Sequence, residues 1–191
     1  MLKELGSVRH SLAQATSAVH QELHSHPWIS RLASRDLQLE TYAGVIGAYR
    51  AFFAEIETKR HGLKVFHDLS LLPQITAMKH DLVKIGHEPR CFDLAGKALV
   101  DNNPMAILGA LYTLHGAGFG AKTLNANVKR TLPHAPRNYL ALGTSPDVWR
   151  RLTLHLADSQ SETSNERKLF QGASQTFVQF GKAVTEFCED A

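Results

Sequence analysis

The stretch LYTLHGAGFGAK, residues 111–122, places three glycines inside an apolar segment with helical periodicity. In a helix interior each glycine costs about 1 kcal/mol relative to alanine, so Gly116, Gly118 and Gly120 together cost about 3 kcal/mol. Two interpretations stay open. Either a neighbouring helix packs closely against the glycines, or a flat ligand lies on the helix backbone where a Cβ would collide with it. The spacing favours the second interpretation, because Gly116 and Gly120 lie one turn apart on one face of the helix. A kink there would also expose backbone groups to a ligand.

The sequence around this stretch predicts one long helix. Asn103 is a good N-cap residue and Pro104 a good first helical residue. Pro133 and Pro136 are expected to end the helix, because proline cannot continue it.

The rest of the chain also has helical periodicity. Apolar residues from Leu5 to Val19 predict one amphipathic helix with a single buried stripe. Further helices are expected from near Asp36 to Arg60–Gly62, from Pro73 to Gly86, from Pro146, and over residues 165–187. Strict alternation of apolar and polar residues is not sustained anywhere, so no β-sheet is predicted. We therefore expect an all-α bundle of about six to eight helices, forming a single domain over residues 1–191.

Composition narrows the class of protein. The 191 residues are 43% apolar and 20% charged, which is typical of a soluble globular chain. No apolar run is long enough to predict a membrane span. The net charge of +3 comes from scattered residues, so nucleic-acid binding is not indicated. Cys91 and Cys188 lack metal-type spacing and are interpreted as free thiols, which with the absence of a secretory signal predicts a cytoplasmic protein.

Among the histidines, His20 and His24 are four residues apart and share a helix face, a spacing that can hold a metal ion. Two histidines are too few for a zinc site, which needs three or four protein ligands. His20 borders the apolar stripe and is expected to face inward. It is then either a hydrogen-bonded core residue or an axial ligand of haem iron, for which one neutral imidazole suffices.

Other familiar chemistry is not indicated. GAGFG has no preceding strand, so it does not predict a dinucleotide site, and no nucleophile motif occurs. Glu55 and Glu57 are expected on a solvated helix face.

Five segments, taken in order, resemble the haem oxygenase family, and in particular its bacterial biliverdin-producing members. ATSAVHQEL is similar to the proximal-helix segment of the family, and LETYAGVIGAYRAFFAEIE to its second helix, which ends in a glutamate, here Glu57. HDLVKIG is similar to a conserved helix ending that begins at Asp81. LYTLHGAGFGAK resembles the distal helix and GASQTFVQF the last helix.

The resemblance implies a site and a reaction. Haem b would lie between His20, its proximal iron ligand, and a glycine-kinked distal helix whose backbone at Gly116 and Gly120 has the catalytic role of steering oxygen. The implied haem-binding residues also include Thr16, Tyr112, Ala117, Phe119, Phe177 and, as a propionate partner, Arg9. The implied reaction converts haem, O2 and reductant to biliverdin, CO and Fe(II). Electrons would come from an external reductase or ferredoxin, and an acceptor such as a phytochrome would take the biliverdin.

Two residues depart from the family pattern. His24 stands where a carboxylate usually fixes the second nitrogen of the proximal imidazole, and Ala117 stands where Asp or Ser usually supports the distal water network. These departures keep two alternatives open: a haem-binding or haem-sensing protein without turnover, and a helical protein that binds another ligand or partner. Further candidates for propionate contact are Lys3, Arg150 and Arg151.

Overall fold

The computed structural model describes residues 2–87, 99–159 and 163–189. This part of the chain forms eight α-helices and two short 3₁₀ turns, Ser30–Ala33 and His67–Leu69, and contains no strand. The all-α prediction is confirmed. Cys91 and the side chain of Lys3 lie outside the described residues. The helices are α1 (Leu2–Ala15), α2 (Ser17–His24), α3 (Leu39–Gly62), α4 (Leu72–Ile85), α5 (Pro104–Thr131), α6 (Asn138–Leu142), α7 (Pro146–Asp158) and α8 (Thr163–Glu189).

Helix ends coincide with the local signals in the sequence. The Asn103 side chain accepts a hydrogen bond from the Met105 amide at 2.9 Å, and α5 begins at the following proline. Ser145 caps α7 in the same way, directly before Pro146. Gly86 ends α4 with φ of +77°, a left-handed conformation that favours glycine. The predicted starts and stops of these helices are therefore confirmed.

The predicted helix over Leu5–Val19 is wrong in one respect, because it is interrupted at Thr16. The Thr16 hydroxyl, in a side chain that is 3% exposed, donates to the Leu12 carbonyl at 2.8 Å. The Thr16 amide donates to the same carbonyl at 3.0 Å, and a threonine hydroxyl that adds a second hydrogen bond in this way bends helices. Leu12 is buried but Ala15 is exposed, so no single buried stripe runs through both helices.

The crossing of α5 and α8 brings two helix backbones into direct contact. A Cβ on Gly109 would meet the backbone nitrogen of Ala173 at 2.7 Å, and a Cβ on Gly172 would meet the Cα of Ala106 at 2.5 Å. Helix α8 also packs on α3, where a Cβ on Gly47 would meet the Phe187 ring at 2.5 Å. The C-terminal helix therefore lies in the middle of the bundle.

Glu57 is 7% exposed, so the prediction of a solvated glutamate is wrong. It accepts hydrogen bonds from the Arg60 guanidinium at 2.8 and 2.9 Å, from the Ser70 hydroxyl at 2.7 Å and from the Leu71 amide at 3.0 Å. Burial raises the pKa of the Glu57 carboxyl, but these hydrogen bonds outweigh it and leave the pKa below its usual value. Glu57 thus ties α3 to the start of α4.

Asp81 is fully buried and has a similar structural role. Its carboxylate accepts hydrogen bonds from the backbone amides of Asn138 at 2.9 Å and Tyr139 at 3.0 Å. These amides begin α6 and have no partner within that helix, so Asp81 attaches α6 to α4.

Within the described ranges, no helix combines the length and the apolar character that crossing a membrane would require.

Candidate functional site

One face of α8 lies between the two segments that the sequence analysis singled out. The Thr113 hydroxyl of α5 contacts the Ala173 carbonyl at 3.4 Å. One turn further along α8, the Phe177 ring contacts the His20 ring of α2, with centroids 5.2 Å apart. The glycine segment of α5, defined as Gly116–Gly120, begins three residues after Thr113, and Gly116 and Gly120 continue the same face of the helix by one and two turns. His20 and Thr113 therefore contact neighbouring turns of α8, and we call the region between α2 and the glycine segment the α2–α5 site.

His20 is exposed, although its ring packs on Phe177 of α8, so the prediction that it faces inward is met in direction but not in burial. Its ring also contacts His24, with centroids 4.6 Å apart. No described residue forms a hydrogen bond with the His20 ring, which argues against the core-histidine interpretation. Partial burial and the neighbouring His24 lower the pKa of His20. The imidazole is therefore neutral at physiological pH, the state in which it binds metals.

The buried histidine of the chain is His115, which is 3% exposed. Its Nε2 lies 3.1 Å from the Leu69 carbonyl, and its Nδ1 lies 3.3 Å from the side-chain nitrogen of Gln74. Because the amide nitrogen of Gln74 can only donate, Nδ1 is the acceptor and Nε2 carries the proton. Burial lowers the pKa of His115. This residue has the satisfied core role that the sequence analysis considered for His20.

The three glycines of the segment have different surroundings, although α5 continues through them as one helix. A Cβ on Gly118 would meet Thr144 and, at 2.7 Å, main-chain atoms of Gly143 and Thr144. A Cβ on Gly116 would meet only the Trp149 ring, at an ordinary distance of 3.8 Å, and a Cβ on Gly120 would meet nothing within 4 Å. Close packing therefore explains Gly118 and leaves Gly120 unexplained within the described residues.

On one side of these glycines, α5 borders a small apolar cleft. Ala117 and Ala121 line it together with Tyr49 of α3 and Tyr139 of α6. The Tyr49 ring contacts Phe180 of α8 at 4.4 Å, and burial raises the pKa of Tyr49 to about 12. The sequence analysis missed Tyr49, since one aromatic residue in an apolar helix gives no signal of its own.

On the other side, Trp149 of α7 contacts two of the predicted site residues. Its ring centroid lies 5.6 Å from that of Tyr112 and 4.8 Å from that of Phe119. Phe119 is 59% exposed. Burial raises the pKa of Tyr112, and the nearby charge of Arg9 partly opposes this. Arg9, Tyr112 and Phe119 are thus brought to one side of the segment; Trp149 was not predicted.

Three of the remaining candidates, Thr16, Arg150 and Arg151, are occupied by other contacts, whereas Arg9 is not. Thr16 is buried and its hydroxyl binds Leu12, so the structure gives it a packing role, and contact with a ligand stays a prediction. Arg150 forms an ion pair with Asp147 at 3.0 Å, and Arg151 forms ion pairs with Asp147 and Asp68. Arg9 forms no ion pair with any described residue, and its guanidinium is therefore available to an anionic group.

Three solved structures with closely similar folds are bacterial haem oxygenases. The haem oxygenase of Neisseria meningitidis, in its NO- and CO-bound forms, matches 95% of this chain and 92% of its own with a TM-score of 0.73 and 21% identity. The chain has a haem oxygenase-like fold. Haem oxygenase-1 of the cyanobacterium Synechocystis, in complex with haem, gives a TM-score of 0.71 at 12% identity over 94% and 91% of the two chains. The enzyme from Leptospira interrogans gives 0.70 at 16% identity over 94% and 99%.

Comparison of sequences alone does not identify the haem oxygenase-like fold. No protein-family model matches the chain, and no curated protein sequence matches it. At identities of 12–21%, the likeness to the three structures establishes the haem oxygenase-like fold, and the activity is argued separately.

Proposed function

We propose that this protein is a haem oxygenase, which uses O2 and electrons from an external donor to convert haem into biliverdin, CO and Fe(II). One observation carries the proposal: within the haem oxygenase-like fold, Gly120 leaves a bare stretch of α5 backbone, while the His20 ring, which no described residue hydrogen-bonds, packs on Phe177 of α8.

The residues at the α2–α5 site suit haem as a substrate. His20 supplies the single neutral imidazole that an axial position on iron needs. Gly116 and Gly120 would allow a flat macrocycle to approach the α5 backbone, because no Cβ intervenes. The rings of Tyr112, Phe119 and Phe177 offer apolar contact, and Arg9 offers a cation for a propionate.

In this proposal the haem supplies the redox chemistry, and the protein supplies binding, orientation and hydrogen bonds. Ala117 carries no hydrogen-bonding group, so protons would be delivered through backbone groups and ordered water. A reductase or ferredoxin as electron donor, a biliverdin acceptor such as a phytochrome, and a cytoplasmic location complete the proposal.

A second candidate is a haem-binding or haem-sensing protein without turnover. The observation that favours it is the pair of departures at the site. Ala117 lacks the side chain that would form a distal hydrogen bond. His24 stands in place of the carboxylate that would raise the basicity of the axial ligand, and its ring centroid lies 4.6 Å from that of His20.

Absorption spectra with one equivalent of hemin test both candidates. An oxygenase shows a Soret band that decays after addition of ascorbate, with catalase present, while biliverdin absorbance grows. A Soret band that persists indicates the sensor. His20→Ala is expected to abolish the band, whereas His10→Ala, an exposed histidine on α1, is the matched control that keeps it. Absence of any Soret shift in the unmodified protein would contradict both haem functions.

A further inference from the structure

We propose that Thr144, in the connection between α6 and α7, is a positioning residue that fixes the glycine segment of α5 where Gly116 and Gly120 meet the substrate. This inference rests on the proposed function, since it assigns a role within the same site.

The first observation is a hydrogen bond from outside the helix. The Thr144 hydroxyl donates to the backbone carbonyl of His115 at 2.8 Å, directly before the glycine segment. In a helix this carbonyl already accepts from the amide four residues later, so Thr144 is its second donor. A second donor draws a carbonyl outward and bends the helix at that point.

The second observation is the close approach of two backbones. Main-chain atoms of Gly143 and Thr144 lie 2.7 Å from the position that a Cβ on Gly118 would occupy. Gly143 has a φ of +61°, which L side chains rarely adopt. Glycine is therefore required at both positions. Position 118 has no space for a Cβ, and position 143 has a backbone conformation that favours glycine.

The third observation is the direction in which each glycine faces around the helix axis. Gly118 is two residues from Gly120, so the two point roughly 200° apart around the helix axis. Thr144 thus holds the segment from the side opposite the bare face. The His115 side chain is held from a different direction by Leu69 and Gln74, which fixes the start of the segment.

These contacts explain how a segment with three glycines is kept in place. Glycines have no side chains that could anchor the helix by packing, and they raise its conformational freedom. A misplacement of about 1 Å in a catalytic constellation costs about a hundredfold in rate, so an external anchor has a functional consequence. In this proposal Gly118 makes room for the contact with Thr144, and Gly116 and Gly120 leave the backbone open to the substrate.

The test compares Thr144→Val, which removes the hydroxyl and keeps the shape, with Thr144→Ser, which keeps the hydroxyl. Hydrogen exchange is measured for the amides of residues 116–122 in the haem-free protein. We expect roughly threefold to tenfold faster exchange in Thr144→Val, the effect of losing one hydrogen bond, and wild-type rates in Thr144→Ser. Ser145→Ala, which removes the neighbouring α7 cap, is the control and is expected to leave these amides unchanged.

The same variants are then incubated with hemin, ascorbate and catalase, and the biliverdin isomers are separated. A positioning role predicts a changed isomer ratio in Thr144→Val and the wild-type ratio in Thr144→Ser. Wild-type exchange in Thr144→Val would overturn the inference, as would faster exchange with an unchanged isomer ratio. If the unmodified protein binds no hemin or does not turn it over, the proposed function fails, and the exchange measurement alone decides whether Thr144 anchors the segment.

Discussion

His115 and Glu57 each bury an ionisable side chain, and in both cases hydrogen bonds from another segment satisfy it. His115 binds the Leu69 carbonyl and the Gln74 side chain, and Glu57 binds Arg60, Ser70 and the Leu71 amide. A buried polar group without such partners would cost about 1–3 kcal/mol. At the scale of single residues, these side chains therefore stabilise the frame around the site.

His115 makes the stability of the protein depend on pH in a definite direction. A histidine in the unfolded chain has a pKa of 6.5, whereas burial lowers the pKa of His115 in the folded state. Below pH 6.5 the unfolded state binds more protons, so the free energy of unfolding falls as the pH falls, by up to about 1.4 kcal/mol per pH unit. Denaturant unfolding at a series of pH values measures this slope.

The matched variant is His115→Gln, which keeps an amide donor for Leu69 and removes the titration. We expect a smaller pH slope in this variant. His26, whose pKa burial also lowers, contributes equally to both proteins. Identical slopes would show that His115 does not resist protonation in the folded state.

The roles of individual residues were the features hardest to predict from the sequence. Spacing placed His20 beside an apolar stripe, but His20 is exposed on α2, the helix that follows the interruption at Thr16. Glu57 looked solvated because its partners Ser70 and Leu71 lie 13 and 14 residues away, beyond any helical pattern. Exposure depends on which segment folds over a residue, and a local pattern does not contain that information.

At the scale of elements, α5 has one side that is covered at the glycine segment and one that is bare. Gly118 is covered by the connection between α6 and α7, whereas Gly120 is bare. The sequence predicted the ends of α5 well, because Asn103 and Pro104 act within one turn. It left the roles of the glycines open, since the contact of Gly118 with Gly143 joins residues far apart along the chain.

Gly120→Ala separates these two kinds of glycine. Because a Cβ there meets no atom within 4 Å, the haem-free protein should gain up to about 1 kcal/mol of stability from helix propensity. Under the proposed function, hemin binding should weaken, because the added methyl group would lie on the face proposed to meet the substrate. Thermal unfolding and hemin titration measure the two effects, and Lys129→Ala, an exposed site about two and a half turns further along α5, is the control. A loss of stability would show that Gly120 is covered, and unchanged hemin affinity would show that the substrate lies elsewhere.

At the scale of the whole molecule, the bundle is organised around α8. This helix contacts α5 backbone to backbone at Gly109 and Gly172, α3 through Phe187, and α2 through Phe177. The five motifs predicted this fold from their order along the chain, even though each is short. At 12–21% identity to the similar structures, what is shared is the arrangement of helices.

Gly109→Ala tests how far the bundle depends on the α5–α8 crossing. The added Cβ would meet the backbone of Leu169 and Ala173, which cannot move as a side chain can, so we expect a loss of about 1–3 kcal/mol. Gly62→Ala, at the end of α3, is the matched control, because a Cβ there meets nothing within 4 Å. Denaturant unfolding compares the two variants. Equal stabilities would mean that the crossing relaxes without cost.

The position of α8 also determines when the site can exist during synthesis. His20 contacts Phe177, and Thr113 contacts Ala173, yet His20 and α5 are translated well before these residues of α8. A growing chain that has reached α7 carries the histidine and the glycines but lacks the surface that places them together. On the ribosome, the arrangement of His20 and the glycine segment around α8 therefore forms only after residues 173–177 have emerged.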